Sequence, residues 1–376
     1  MMNFEEIREH FPVCRNLIYF DNAAVAPIHT LSIKYADDYL DHFLNYGFRD
    51  YDTWFNKYEE IREGLGKFIG AKKSEIAFIK NTSAGISVFA NGVDFKDGDN
   101  VIIPNIEYPA NVYPWLNLAS KGVKTKFLKA DNGYIDLNAL SALIDCNTRV
   151  LSISWIEFVN GFKNDLKAIS ELCMQKSLEY GRKIYFCVDA IQGLGAFDID
   201  VKALNIDFLA ADGHKWFLAL EGAGFLYCSE DIIDEIKPAS VGWKSVENPL
   251  DFTDINFTLQ KTANKFEEGT LNVVGILSLG ASLDLFNSIG IKNIEDRILS
   301  LSNYAVEKIS QKAELKSYRQ EKHRSGIISF VTKDIEKDFL KLLANKVQLS
   351  KRGEMLRISP HFYNTHEEID RFVDML

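Results

Sequence analysis

No run of this sequence approaches the roughly 20 consecutive apolar residues that a membrane-spanning helix needs, so no membrane span is expected. Nor is there a dense Lys/Arg tract. The 43 basic residues are outweighed by 53 acidic ones, and the formal net charge of −10 argues against a nucleic-acid partner held through phosphates. The five cysteines, Cys14, Cys146, Cys173, Cys187 and Cys228, show no CxxC spacing and no disulfide framework. Two of them lie in apolar strand-like runs, so buried reduced thiols are expected. The seven histidines form no HxxxH or Cys/His cluster of zinc-ligand type, and no metal is expected. The glycine patterns GxGxxG and the Walker loop are missing as well, which argues against a nucleotide-binding α/β protein. Met1 to His10 carries Glu5, Glu6, Arg8 and Glu9 in place of the apolar core of a secretory signal, so a cytoplasmic location is expected.

What is present is a long globular sequence of 376 residues, 47% hydrophobic and 26% charged, enough for two domains with substantial cores. Short apolar runs recur at Glu75–Lys80, Val101–Pro104, Lys124–Leu128, Arg149–Trp155, Lys183–Asp189, Ile206–Ala211 and Gly224–Cys228, separated by longer amphipathic stretches. This alternation predicts βα crossover units and a mostly parallel seven-stranded sheet covered by helices. Leu166, Ile169, Leu172, Cys173 and Leu178 mark one crossover helix, with Gly181 as its C-terminal stop. After about Asp251 the pattern changes. A segment beginning at Gly269 carries Val273, Val274, Ile276, Leu277 and Leu283 and predicts a long buried helix ending near Gly290. Gly326–Thr332 and Met355–Ser359 read as strands, and Thr365 with Glu368 forms a capping box for a terminal helix. The expected organisation is an N-terminal segment (1–20), a large α/β domain (21–255) and a smaller C-terminal α+β domain (256–376).

The chemistry concentrates at the ends of two of these runs. Lys215, in Asp212-Gly213-His214-Lys215-Trp216, and Asp189 both follow buried strands, where open α/β sheets bind ligands. A lysine amine that can form a Schiff base, near a carboxylate that can hold a pyridinium nitrogen protonated, is what pyridoxal phosphate chemistry requires. Lys215 would anchor the cofactor and then serve as base at the substrate Cα. Asp189 could instead cap a helix. Gln192 is placed to donate to the ring oxygen or to sit on the surface. Asn81-Thr82-Ser83-Ala84-Gly85, between a strand and a helix, offers backbone N–H groups to a phosphate, and also reads as an ordinary capping turn. His214 is a second phosphate donor or a core histidine. Tyr108 either stacks on the cofactor ring or packs in the core. Arg357, inside an apolar strand, awaits a carboxylate, best supplied by an amino acid substrate.

These residues resemble the class V aminotransferase family of fold type I pyridoxal phosphate enzymes, which includes cysteine desulfurases, isopenicillin N epimerase-like proteins and kynureninase relatives. The resemblance runs from Tyr19-Phe20-Asp21-Asn22-Ala23-Ala24 through the Asn81 turn, Asp189, Gly213-His214-Lys215 and Phe266-Glu267-Glu268-Gly269-Thr270 to Arg357 and Tyr363-Asn364-Thr365. It implies cofactor binding by Lys215, Asp189, Gln192, Tyr108, Thr82, Ser83, Ala84 and His214. It also implies substrate contacts from Ala24 and Arg357. Thr270 would reach the phosphate held by a partner subunit, which implies a homodimer with shared active sites.

Three departures bear on activity. Val347 to Leu356 contains no cysteine where desulfurases carry their nucleophile, only Ser350. Asp212 stands where desulfurases place a serine near the phosphate. Ser154-Trp155-Ile156-Glu157 lacks the asparagine near the ring oxygen, so that Trp155 or Glu157 is expected to shape the substrate pocket. The leading expectation is therefore an aminotransferase moving an amino group from a small amino acid to a keto acid. A lyase or epimerase using the same Cα carbanion is the enzymatic alternative, and an inactive cofactor-binding regulator the non-enzymatic one.

Overall fold

The computed structural model describes residues 4–130, 133–253, 255–318 and 320–376. A short strand β1 (Ile18–Tyr19) precedes a seven-stranded sheet made of β2 (Ile76–Ile79), β3 (Asn100–Pro104), β4 (Lys124–Leu128), β5 (Thr148–Ser154), β6 (Tyr185–Asp189), β7 (Phe208–Asp212) and β8 (Gly224–Cys228). Its order is β2-β8-β7-β6-β5-β3-β4, and every strand is parallel to its neighbours except β8, which runs antiparallel to both β7 and β2. Chain order reverses between β3 and β5, so a crevice opens at the carboxyl ends of the central strands.

The central strands β6, β7 and β8 read as apolar runs because both faces of the sheet are covered there. Alternate residues enter two separate cores: Phe186, Val188, Leu209 and Ala211 point to one, and Tyr185, Cys187, Phe208 and Ala210 to the other. The first core is closed by helices Thr30–Tyr46, Tyr51–Phe68 and Val273–Ile289, the second by helix Thr82–Gly92. Edge strand β4 keeps Lys124 and Lys126 along its length, a composition that discourages pairing with another chain. The crossover helix spans Leu166–Tyr180 and stops at Gly181, whose φ of 60° is left-handed and favours glycine.

The long buried helix begins at Val273, four residues later than Gly269. Asn272 caps it by accepting the Gly275 N–H at 3.1 Å. Helix Val273–Ile289 fixes the lysine loop by close approach: a Cβ on Gly213 would come within 2.6 Å of Leu279 Cδ2, so only glycine fits there. Among the described residues, no single helix is long and apolar enough to cross a membrane.

Four further strands, β9 (Glu314–Leu315), β10 (Ile328–Val331), β12 (Ser350–Arg352) and β13 (Met355–Ile358), form a second, antiparallel sheet in the order β12-β13-β10-β9, while β11 (Val347–Gln348) pairs in parallel with β1. Thr365 and Glu368 cap the terminal helix His366–Asp374 reciprocally. The N-terminal segment laces this part to the lysine loop. Ser359 N–H donates to Phe20 O at 2.7 Å, Ser359 Oγ accepts from Ala23 N at 2.9 Å, and Ala26 N–H donates to His214 O at 2.8 Å.

Candidate active site

The crevice at the strand ends is a cleft of about 310 Å³ that brings together Lys215, Asp189, Gln192, Thr82, Ser83, Tyr108, His214, Ala24 and Arg357. Asp189 ends β6, and Lys215 lies three residues beyond the end of the adjacent parallel strand β7. Both side chains are buried. The Lys215 amine has no hydrogen bond or ion pair among the described residues, and lies over the Tyr108 ring, 5.3 Å from its centroid. Burial lowers its pKa to about 8; Asp189 opposes that shift, while Arg357 and Arg352 add to it. The buried Asp189 carboxyl is pushed up to about 6, held back by the Ile191 N–H at 3.1 Å and by the Lys215 charge. A lysine poised near neutrality and a carboxylate awaiting a cation are functional signals when both face one cleft.

Gln192 is fixed from two sides. Its oxygen accepts from Trp216 Nε1 at 2.9 Å and its amide donates to Ala23 O at 3.0 Å, leaving one amide hydrogen for a ligand. At the start of helix Thr82–Gly92 the donors divide. The Ala84 N–H is taken by Asn81 Oδ1 at 2.9 Å and the Thr82 hydroxyl accepts from Asp212 N at 3.0 Å, so these two groups are engaged within the chain. The N–H groups of Thr82 and Ser83 and the Ser83 hydroxyl have no partner among the described residues and point to an anion site. Asp212 sets its carboxylate 3.0 Å from His214 Nδ1, outside hydrogen-bond geometry, so its charge faces the histidine.

Tyr108 stands edge-on to Phe158, with ring centroids 5.1 Å apart. Phe158 lines the cleft, and Trp155 does not. The Trp155 ring packs on Gly193, where a Cβ would come within 2.1 Å of it, and against Phe197. Glu157 is also absent from the cleft wall. It is fully buried with Asn164 donating to it at 2.9 Å, and burial together with the charge of Glu107 raises it well above the carboxylate range. Burial likewise pushes Glu107 to about 7, against hydrogen bonds from the Ser154 N–H and hydroxyl.

Arg357 is buried on β13 and donates to Phe158 O at 2.7 Å; its Nε and Nη2 are buried without a hydrogen bond, and Asp21 is no nearer than 3.8 Å. Ser350 and Gln348 occupy Asp21 instead, at 2.5 and 3.3 Å. Thr270 lies outside the cleft, on an adjoining concavity of about 790 Å³ that shares Asn81, Ser83 and Ala84 with the phosphate-side turn. The expectations from sequence overlook Arg352, which lines the cleft. Its signal is the Gly353-Glu354 pair closing the hairpin β12–β13, with Gly353 at a left-handed φ of 55°.

The donor set suits one ligand chemistry: an aldehyde for the free amine, a basic ring nitrogen for the buried carboxylate, a ring oxygen for Gln192 and a phosphate for the helix start. Pyridoxal phosphate has all four groups. Because the neutral amine is the form that captures a carbonyl, the rate of cofactor capture by the unloaded protein should rise about tenfold per pH unit up to about 8 and then level off. Stopped-flow absorbance measures this. A rate still climbing at pH 10 would contradict the lowered lysine.

Comparison with known proteins agrees with that chemistry. The family described as aminotransferase class-V matches residues 18–372. A probable cysteine desulfurase of Methanothermobacter thermautotrophicus is 32% identical over 98% of this chain and 96% of its own length. A cysteine desulfurase of Salmonella newport is 31% identical with the same coverage. Among solved structures, the apo cysteine desulfurase of Thermococcus onnurineus NA1 superposes with a TM-score of 0.89 at 26% identity, covering 100% of this chain and 97% of that one. A complex of the cystine C–S lyase C-DES with cysteine persulfide has a TM-score of 0.90 at 20% identity, covering 97% and 98%, and shares the fold. With pyridoxal phosphate as its cofactor, the chain belongs to the class V aminotransferase family of fold type I enzymes.

Proposed function

We propose that the protein is a pyridoxal phosphate-dependent lyase that acts on an α-amino acid and releases the group carried on Cβ as a free product. Its relatives at 31–32% identity are named as cysteine desulfurases or probable ones, which supports a lyase over an aminotransferase. The observation that carries the reading is the missing acceptor. None of the five cysteines lines the cleft, and the Ser350 hydroxyl is committed to Asp21 Oδ1 at 2.5 Å. Burial pushes the Cys173, Cys187 and Cys228 thiols far above the range where a thiolate forms, so a departing group has no enzyme sulfur to hold it.

In this reading Lys215 holds the cofactor and Asp189 its ring nitrogen, while Thr82 and Ser83 N–H groups, the Ser83 hydroxyl and His214 hold its phosphate. The cofactor supplies an electron sink for negative charge at Cα. Arg357 turns its two unpaired donors to the substrate carboxylate, which sets Cα beside the lysine. The Lys215 amine would take the Cα proton onto Nζ; the C–H bonding pair becomes the Cα–Cβ double bond as the Cβ group departs with its own bonding pair, and the protonated amine can pass its proton to that group. Thr270 and its concavity face a second copy of the chain.

Amino transfer to a keto acid is the second reading, favoured by the same missing thiol, since it needs only proton movements. One experiment separates them. The loaded enzyme, given an amino acid and no keto acid, should release ammonia and a keto product over many turnovers, and should run as a dimer by light scattering. Arrest after a single equivalent would establish amino transfer instead, and an active monomer would contradict the shared site.

A further inference from the structure

The hairpin β12–β13 presents an arginine pair to the cleft. Its register sets Ser350 opposite Arg357 and Arg352 opposite Met355, and alternation along each strand puts all four on one face. Ser350 and Arg357 both meet Asp21, which fixes that face as the one turned to the N-terminal loop and the cleft. Arg352 is half-buried, lines the cleft with Arg357 and Lys215, and has no ion pair or hydrogen bond among the described residues; its Nε is buried and unsatisfied.

Two guanidinium groups and an ammonium facing one small cavity repel one another. The Arg352 charge raises the cost of protonating both Arg357 and Lys215. Of the carboxylates that face this cluster, Asp189 accepts from the Ile191 N–H and Asp21 from Ser350 and Gln348, while Asp212 turns one oxygen to within 3.0 Å of His214 Nδ1; none forms an ion pair with Arg352. The phosphate side has its own donors at the start of helix Thr82–Gly92, on the large sheet and not on this hairpin. A half-buried arginine with nothing to bind is costly unless a ligand supplies the anion.

Resting on the proposal that Arg357 takes the α-carboxylate, we propose that Arg352 is the specificity residue of the cleft and that the substrate is an α-amino acid whose side chain ends in a second carboxylate. Arg357 clamps one end of the molecule and Arg352 the other, both as charge-assisted hydrogen bonds. An amide of the same shape offers no charge and leaves Arg352 unpaired.

The test titrates the cofactor-loaded protein with L-aspartate, L-glutamate, L-asparagine and L-glutamine and follows the visible absorption of the bound cofactor, which reports binding without turnover. At least one acid should half-saturate at a concentration about 10- to 100-fold lower than its amide. Arg352→Gln should remove that preference while amide binding and cofactor affinity stay within about threefold, and Arg352→Lys should restore part of it. Amides that bind the wild-type protein as well as the acids overturn the proposal without any variant. So does an Arg352→Gln protein that keeps the preference, weakens acids and amides alike, or loses the cofactor. A spectrum that no amino acid perturbs overturns the Arg357 reading itself, and this proposal with it.

Discussion

Lys215→Ala is expected to lower turnover by at least about 10³-fold while leaving the fold intact. The amine is buried, lies over the Tyr108 ring and forms no hydrogen bond or ion pair among the described residues, so its removal breaks no contact that holds the loop. The loop is held by Gly213 against Leu279 and by the Ala26 N–H on His214 O, both of which remain. A desolvated ammonium is also removed, so unfolding in urea should start at the same denaturant concentration or a higher one. On the proposed mechanism, what is lost is the covalent hold on the cofactor and the base beside Cα. Borohydride treatment should fix the cofactor to the wild-type chain and not to the variant. A variant that still retained cofactor after reduction would place the anchor elsewhere.

Asp189→Asn is expected to cost about 10²- to 10³-fold in turnover, the scale of removing one preorganised charge from the place where charge develops. The amide oxygen can still accept from the Ile191 N–H, so local shape survives. The electrostatic consequences separate a chemical role from a structural one. The Asp189 charge raises the Lys215 pKa, so without it the lysine should fall further below about 8, and the plateau of cofactor capture should move to lower pH. The carboxyl itself is raised by burial to about 6, and its ionised form therefore destabilises the unloaded fold above that pH. Asparagine removes this penalty, so the unloaded variant should resist urea at pH 8 at least as well as the wild-type protein. Turnover within fivefold of wild type, or an unmoved capture plateau, would contradict the role given to Asp189.

How far the sequence discloses this site follows from burial on two faces. β6, β7 and β8 lie between two cores, so each reads as an apolar run, and Asp189 and Asp212 stand out as the charged residues that end two of them. That contrast is enough to mark the Lys215 and Asp189 strand ends in the sequence. The crossover helix, the buried helix near Gly290 and the Thr365 capping box are legible for similar reasons, with Asn272 setting a later start than Gly269.

Other features are illegible because they depend on partners distant in the chain. Asn81 caps the Ala84 N–H and Asp212 N binds the Thr82 hydroxyl, contacts that composition alone cannot separate from a phosphate cradle. Trp155 turns away because Gly193, on another loop, leaves room for its ring, and Phe158 takes the cleft instead. Arg352 escapes notice because β12 has three residues, too few for a period-2 pattern to emerge. Glu107 and Glu157 reveal their buried, proton-holding environment only once β5 and its loop fold over them.

The measurement that bears most directly on the account is exchange of the substrate Cα hydrogen in D₂O, followed by proton NMR with the loaded enzyme. It reports proton removal whether the reaction ends in elimination or amino transfer. The account predicts loss of the Cα–H signal from an acidic amino acid with the wild-type enzyme and none with Lys215→Ala. Retention of the signal for every amino acid tried, or equal loss with the Lys215→Ala variant, would contradict it.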